Sequence, residues 1–131
     1  MALEFRNKSW FYEGNREQLM SFEREHDLAH VAVDEPQGFP SSIPPVWEVT
    51  CPELALVRLH GRNRDTWQKK GLASSAERFN YLYSETELRE LADPVRGLAS
   101  RARRVHVLFN NCHEDKAQRN ALEFARLLGQ P

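Results

Sequence analysis

Apolar and polar residues alternate most regularly from Leu54 to Gly61, in the run Leu-Ala-Leu-Val-Arg-Leu-His-Gly. A period of two predicts a strand with Val57 and Leu59 on one face and Leu56, Arg58 and His60 on the other. Gly61 ends it, since a glycine lets the backbone turn where other residues resist. Similar patterns predict strands at Leu3–Asn7, Ala29–Glu35 and Val105–Asn111. Apolar residues at helical spacing predict three helices: from Asn15 to about His26 (Leu19 and Phe22), from Ser84 onward (Leu88, Leu91, Val95, Leu98 and Ala102), and Asp115–Leu128 (Ala117, Ala121, Phe124, Ala125 and Leu128). Asn15 with Gln18 and Ser84 with Glu87 have the spacing of capping boxes. Pro94 should kink or split the second helix, and Gly129 should stop the third.

Two connections lack periodicity. Prolines 36, 40, 44, 45 and 52 exclude an ordinary helix before the third strand, where Phe39 and Trp47 are placed to pin the chain to the body. From Arg62 to Tyr83 the chain carries Arg62, Arg64, Lys69, Lys70 and Arg78 against Asp65 and Glu77, with Trp67, Phe79, Tyr81 and Tyr83 among them. A long aromatic loop of this kind reads either as a binding loop or as a solvated connection held by its rings. The order β-α-β-loop-β-loop-α-β-α implies an α/β fold with a parallel sheet of about four strands and three main helices.

Composition narrows the function classes. At 131 residues, 40% hydrophobic and 28% charged, the chain suits one globular domain with a real core. A net charge of −1 supplies no field for nucleic acid or an anionic membrane, and no apolar run approaches a membrane span. The charged N-terminal stretch is not a signal peptide, and Cys51 and Cys112 form neither a disulfide framework nor a CxxC site. These features fit a cytoplasmic protein with bystander thiols. GxGxxG, Walker and GxSxG motifs are absent, so no cofactor is implied and its identity stays open.

Each strand ends in polar residues: Arg6-Asn7, Asp34-Glu35, His60-Gly61-Arg62 and Asn110-Asn111. In a parallel sheet these ends share the edge where α/β folds place their sites. Alternation puts Glu4, Arg6, Asp34, Arg58 and His60 on one face. His60 is then the candidate general acid or base and Asp34 its orienting carboxylate. Arg58 and Arg62 would hold an anionic group, and Asn110 or Asn111 would supply an amide. A buried ion network is the purely structural alternative. Asp34, Glu35, His60 and His113 include metal-ligand types, but they lack dense spacing and arginines oppose a cation, so no metal is expected. His26, His30 and His106 read as surface or packed histidines. A nucleic-acid or nucleotide binder, with bases stacked on Trp67 or Tyr81, is the second function class.

Glu4-Phe5-Arg6 with Ser9-Trp10, Arg58-Leu59-His60-Gly61-Arg62-Asn63, Tyr81-Leu82-Tyr83-Ser84 with Glu87-Leu88, Phe109-Asn110-Asn111 and Asn120-Ala121 together resemble the YecE-like family. That family is also called domain of unknown function seventy-two. The likeness runs in order from residue 3 to about 128. It implies a partial TIM (β/α) barrel, the C-terminal half of one, with the first strands missing. It also implies a mainly microbial protein of unestablished activity, loosely likened to sugar isomerases. Arg6, Arg58, His60, Gly61, Arg62, Asn110 and Asn111 occupy the family's motif positions, and Tyr81 joins them as a candidate ligand-binding ring. Cys112-His113 departs from the pattern, which places a His directly after the asparagine pair. The expected function is an enzyme-like site for a small anionic or sugar-like ligand; a truncated, non-functional fragment is a further alternative. Expected partners are that small molecule, and either further copies of the chain at exposed sheet edges or a missing N-terminal half.

Overall fold

The computed structural model describes residues 1–130. Four parallel strands form one sheet in chain order: β1 (Ala2–Leu3), β2 (Ala29–Asp34), β3 (Ala55–Leu59) and β4 (Val105–Phe109). Three main helices alternate with them: α1 (Asn15–Glu25), α2 (Glu85–Ala99) and α3 (Lys116–Leu127). The α/β class and the strand and helix count are those the pattern predicts. Two short 3-10 helices, Lys8–Phe11 and Ser75–Phe79, are too brief to show a period in sequence.

Register decides what each face carries. Val33 pairs with Arg58 and Arg58 with Leu108; Asp34 pairs with Leu59 and Leu59 with Phe109. Paired residues of a parallel ladder point to the same side. The Leu59 side is the helix side: Val57, Leu59, Tyr83, Leu88, Leu91, Val95, Leu98 and Phe124 form one core. Val57 and Leu59 are fully buried there. Burial of such side chains stabilises by about 1.5–3 kcal/mol each. The Arg58 side is more open, and Leu108 on it is exposed.

Local chemistry departs from the pattern in five places. β1 shrinks to two residues, paired as Ala2 with Ala29 and Leu3 with His30. Gly14, not Asn15, caps α1, and the Asn15 amide donates to the Ser9 carbonyl at 2.8 Å, so that capping box does not form. The Ser84–Glu87 box does form at the head of α2, which runs through Pro94 as one helix. Helix α1 is turned so that Leu19, Met20 and Glu23 are buried while Phe22 is half exposed. The Glu23 carboxylate reaches His30 Nδ1 at 3.2 Å inside the protein. Ala121 of α3 likewise faces solvent.

Each end of the sheet has a groove, mainly apolar beside β1 and edged by Arg96 and Arg103 along β4. One, about 550 Å³, is lined by Leu3, Phe5, Trp10, Leu19 and Phe22 beside β1. The other, about 380 Å³, is lined by Val105, Val107, Phe109, Val95 and Phe124 along β4.

Candidate functional site

His60 follows β3 directly. Its N–H donates to the Asp34 carbonyl at 2.9 Å, and the Asn110 N–H donates to the Leu59 carbonyl at 2.7 Å. The ladder therefore continues one row beyond the strands, and alternation sets Glu35, His60 and Asn110 on the Arg58 face of that row. The imidazole is almost completely buried. Its Nε2 lies 3.1 Å from Glu4 Oε1 and its Nδ1 lies 3.1 Å from Asn110 Nδ2. The Asn110 NH2 group can only donate, so Nδ1 accepts and the ring proton sits on Nε2, aimed at the Glu4 carboxylate. Glu4 Oε2 accepts from Arg58 Nη1, and the exposed Arg6 guanidinium lies 3.6 Å from Glu4 Oε1. Burial pushes Glu4 up, but the hydrogen bonds from His60 and Arg58 outweigh it and hold the carboxyl at about 2.

Glu35 behaves in the opposite way. It is buried, and its Oε1 accepts the Ile43 N–H at 2.6 Å. Burial raises its pKa to about 7 against that hydrogen bond; Glu4 and Asp34 push it further up and Arg6 pulls it down. Two carboxyls of one region thus differ in protonation at neutral pH, a recurring arrangement in acid–base sites.

Asp34 is not the carboxylate on His60; Glu4 is. Paired with Leu59, Asp34 projects to the helix side. There it binds Arg62 through two bonds, Nε to Oδ2 at 2.9 Å and Nη2 to Oδ1 at 2.8 Å. The buried Tyr83 hydroxyl donates to Oδ2 at 2.7 Å. Arg62 Nη1 reaches Glu87 Oε2 at 3.0 Å, and the Tyr81 hydroxyl donates to the same oxygen at 2.8 Å. Two carboxylates therefore engage the guanidinium expected to hold a ligand anion. The Asp34 hydrogen bond raises its pKa further. Burial and then the Glu87 bond push Tyr81 up to about 12, and burial with the Asp34 charge pushes Tyr83 up as well. Glu87 is lowered: burial raises it, but its bonds from Ser84 and Tyr81 and the Arg62 charge prevail.

Gly61 is required on two counts. Its φ is +88°, and a Cβ there would come within 2.7 Å of Tyr81 Cβ. Its N–H donates to the Tyr83 hydroxyl at 2.9 Å. The asparagine pair divides its work. Asn110 faces His60, whereas Asn111 is fully buried and donates to the Tyr81 carbonyl at 2.8 Å and to Asn120 Oδ1 at 2.9 Å. Asn120 grips both the N–H and the carbonyl of Tyr83, at 2.9 and 3.0 Å. Asn111 and Tyr81 thus fasten residues 81–83 to α3 and α2, while Asn110 serves the His60 array.

The loop after Gly61 covers the imidazole. The Phe79 and Trp67 rings lie 5.8 and 6.4 Å from that of His60, and Trp67 Nε1 donates to Ser41 Oγ at 3.2 Å. Both rings offered for base stacking are thus engaged within the protein, Trp67 here and Tyr81 against Tyr83 at 5.3 Å. His113 meets Lys116 and Glu114. No cluster of three metal-ligating side chains occurs among the described residues. Both cysteines are free, with Cys112 exposed. Among the important residues, the sequence patterns read Glu87 only as a helix cap, Glu35 only as a metal-ligand type and Tyr83 only as one ring of the loop. Alternation from Val33 would have found Glu35, had the face been known.

The model of the family "Protein of unknown function DUF72" matches residues 1–131. The UPF0759 protein YunF of Bacillus subtilis (strain 168) is 37% identical over 129 residues, covering 97% of this chain and 46% of YunF. A crystal structure of a DUF72 family protein from Enterococcus faecalis V583 superposes with a TM-score of 0.91 at 34% identity, over 99% of this chain and 47% of that one. A DUF72 family protein from Thermotoga maritima MSB8 gives 0.84 at 38% identity, over 98% and 46%. The chain spans about half the length of each of these relatives. With its whole length matched and its fold shared, this chain belongs to the DUF72 family.

Proposed function

We propose that the Arg58 face of the sheet, at its C-terminal edge, binds a small anionic or sugar-like molecule, with His60 as the acid–base residue. The observation that carries this reading is the imidazole held in one tautomer between Glu4 and Asn110. The two bonds fix the ring's orientation, with Nε2 toward the Glu4 carboxylate that Arg58 and Arg6 also reach. Arg58 and Arg6 supply positive charge beside it, and Asn110 supplies an amide. Glu4 takes the orienting role, with its carboxylate accepting the ring proton's hydrogen bond. The activity of a whole protein of the relatives' length falls under the same proposal.

Calorimetric titration of the 131-residue chain with gluconate, glycerol 3-phosphate and sulfate tests it. Binding of at least one, lost in Arg58→Leu and in His60→Gln while both variants stay folded, is the expected result. Binding of none, or binding indifferent to both substitutions, rejects the site. Partners follow from the sheet edges. The grooves beside β1 and β4, with apolar residues in both, favour association of the chain through these ends. A monomer across a wide concentration range in sedimentation velocity rejects that part. No described helix is long and apolar enough to cross a membrane.

A further inference from the structure

We infer that Glu35 is the proton-holding carboxyl of this site: it donates a hydrogen bond to a bound small oxyanion, and its ionisation expels that ligand. The inference rests on the proposed reading of the Arg58 face and adds a ligand class and a control to it. Three observations support it. First, the ladder beyond β2, β3 and β4 sets Glu35 in one row with His60 and Asn110, on the same face. Second, Glu35 is 4% exposed, yet only one of its oxygens has a protein donor among the described residues, the Ile43 N–H at 2.6 Å. The second oxygen is left for a proton and a ligand. A carboxyl so enclosed resists ionising, because burial disfavours the charged form.

Third, the charges around it balance on one proton. Glu4 and Arg6 act on Glu35 from the segment after β1, and Asp34 acts from its own strand. Asp34 lies on the opposite face and is neutralised by Arg62. Arg58 and His60 enter from β3, both bonded to Glu4, and the Pro36–Val46 stretch contributes the Ile43 N–H. With Glu35 protonated, the two guanidinium groups of Arg6 and Arg58 face a single ionised carboxylate, Glu4. One positive charge is left over, which suits an oxyanion. Ionised Glu35 cancels that charge and replaces a donor with a second repelling carboxylate. Its pKa of about 7 places the change in the neutral range.

Sulfate is the probe, because it does not titrate between pH 6 and pH 8. Calorimetry on the full chain should show affinity for sulfate falling about tenfold from pH 6 to pH 8, the size expected for one added charge at close range. Glu35→Gln keeps a neutral donor and the shape, so it should bind equally well at both pH values. Wild-type infrared spectra should also show a carboxylic-acid carbonyl band at pH 6 that is absent in Glu35→Gln. If Glu35→Gln keeps the full pH dependence, another group carries it and the inference falls while the site stands. The inference also falls if wild-type affinity is flat or if the infrared band persists in the variant. Absence of sulfate binding at every pH, together with no response to the anions tested on Arg58→Leu, overturns the site and this role of Glu35 together.

Discussion

The two faces of the sheet hold similar chemistry in opposite states of completion. On the helix side, Asp34, Arg62, Glu87, Tyr81 and Tyr83 close on one another: the guanidinium has three bonds to two carboxylates, and both phenols donate to those carboxylates. On the Arg58 side, Glu4, Arg58, His60 and Asn110 form a chain with loose ends. Arg6 is largely exposed, Arg58 is partly exposed and Glu35 is bonded through one oxygen. Residue type therefore does not separate a fastening from the proposed site. The number of unused valences does: a saturated network gives rigidity, whereas an unsaturated one retains groups to offer a ligand.

Substitutions should divide along that line. The largest effect is expected from Asp34→Ala, which strips the partner from Arg62 and Tyr83 at once; urea unfolding should show a loss of about 3–5 kcal/mol. Gly61→Ala forces a left-handed φ on a side chain already too near Tyr81, and should cost about 2–3 kcal/mol by the same assay.

On the open face the expected signature is pH dependence. Glu35 binds its proton more tightly folded than unfolded, with a pKa near 7 against an ordinary 4.5. Its contribution is complete below about pH 4.5 and lost as pH rises through 7, roughly 3 kcal/mol in all. Glu4 runs the other way: held at about 2, it contributes fully above 4.5 and loses that contribution as pH falls through 2. Thermal melts from pH 4 to pH 8 should therefore flatten in Glu35→Gln, and an unchanged slope would reject this assignment. Arg58→Leu should cost only about 1–2 kcal/mol, because its side chain is partly exposed and Glu4 keeps its bond to His60. His60→Gln should stay within about 1 kcal/mol of wild type; a much larger loss would make the imidazole a fastening too. Arg89→Ala, which breaks an exposed pair with Glu85 on α2, is the baseline at under about 0.5 kcal/mol by the same melts.

The element order was legible because strands and helices carry different hydrophobic periods. The stripe Leu88, Leu91, Val95, Leu98 is buried as its spacing requires. The face of Asp34 was not legible. β2 is buried along its whole length, so no change of polarity marks which residues look toward the helices. Reading Asp34 onto the His60 side followed from that silence, and it hid Glu35 one position on. The division of Asn110 from Asn111 was hidden for a related reason: neighbouring identical residues beyond a strand point apart, but only register says which way. The inward turn of Glu23 was equally invisible, because its partner His30 lies on another element. Pairing across elements is three-dimensional information that local pattern does not carry.

The Tyr83 hydroxyl has a consequence for anyone who would re-engineer the imidazole. It accepts a hydrogen bond from the Gly61 N–H and donates one to Asp34, tying the residue after His60 to the end of β2 from behind. The direction in which the chain leaves the sheet at His60 is thus steered by a phenol on the far side of the sheet. Tyr83→Phe would leave the ring packed and remove the tether. The handle for swinging the imidazole lies in the core beneath α2, out of reach of anything that occupies the open face.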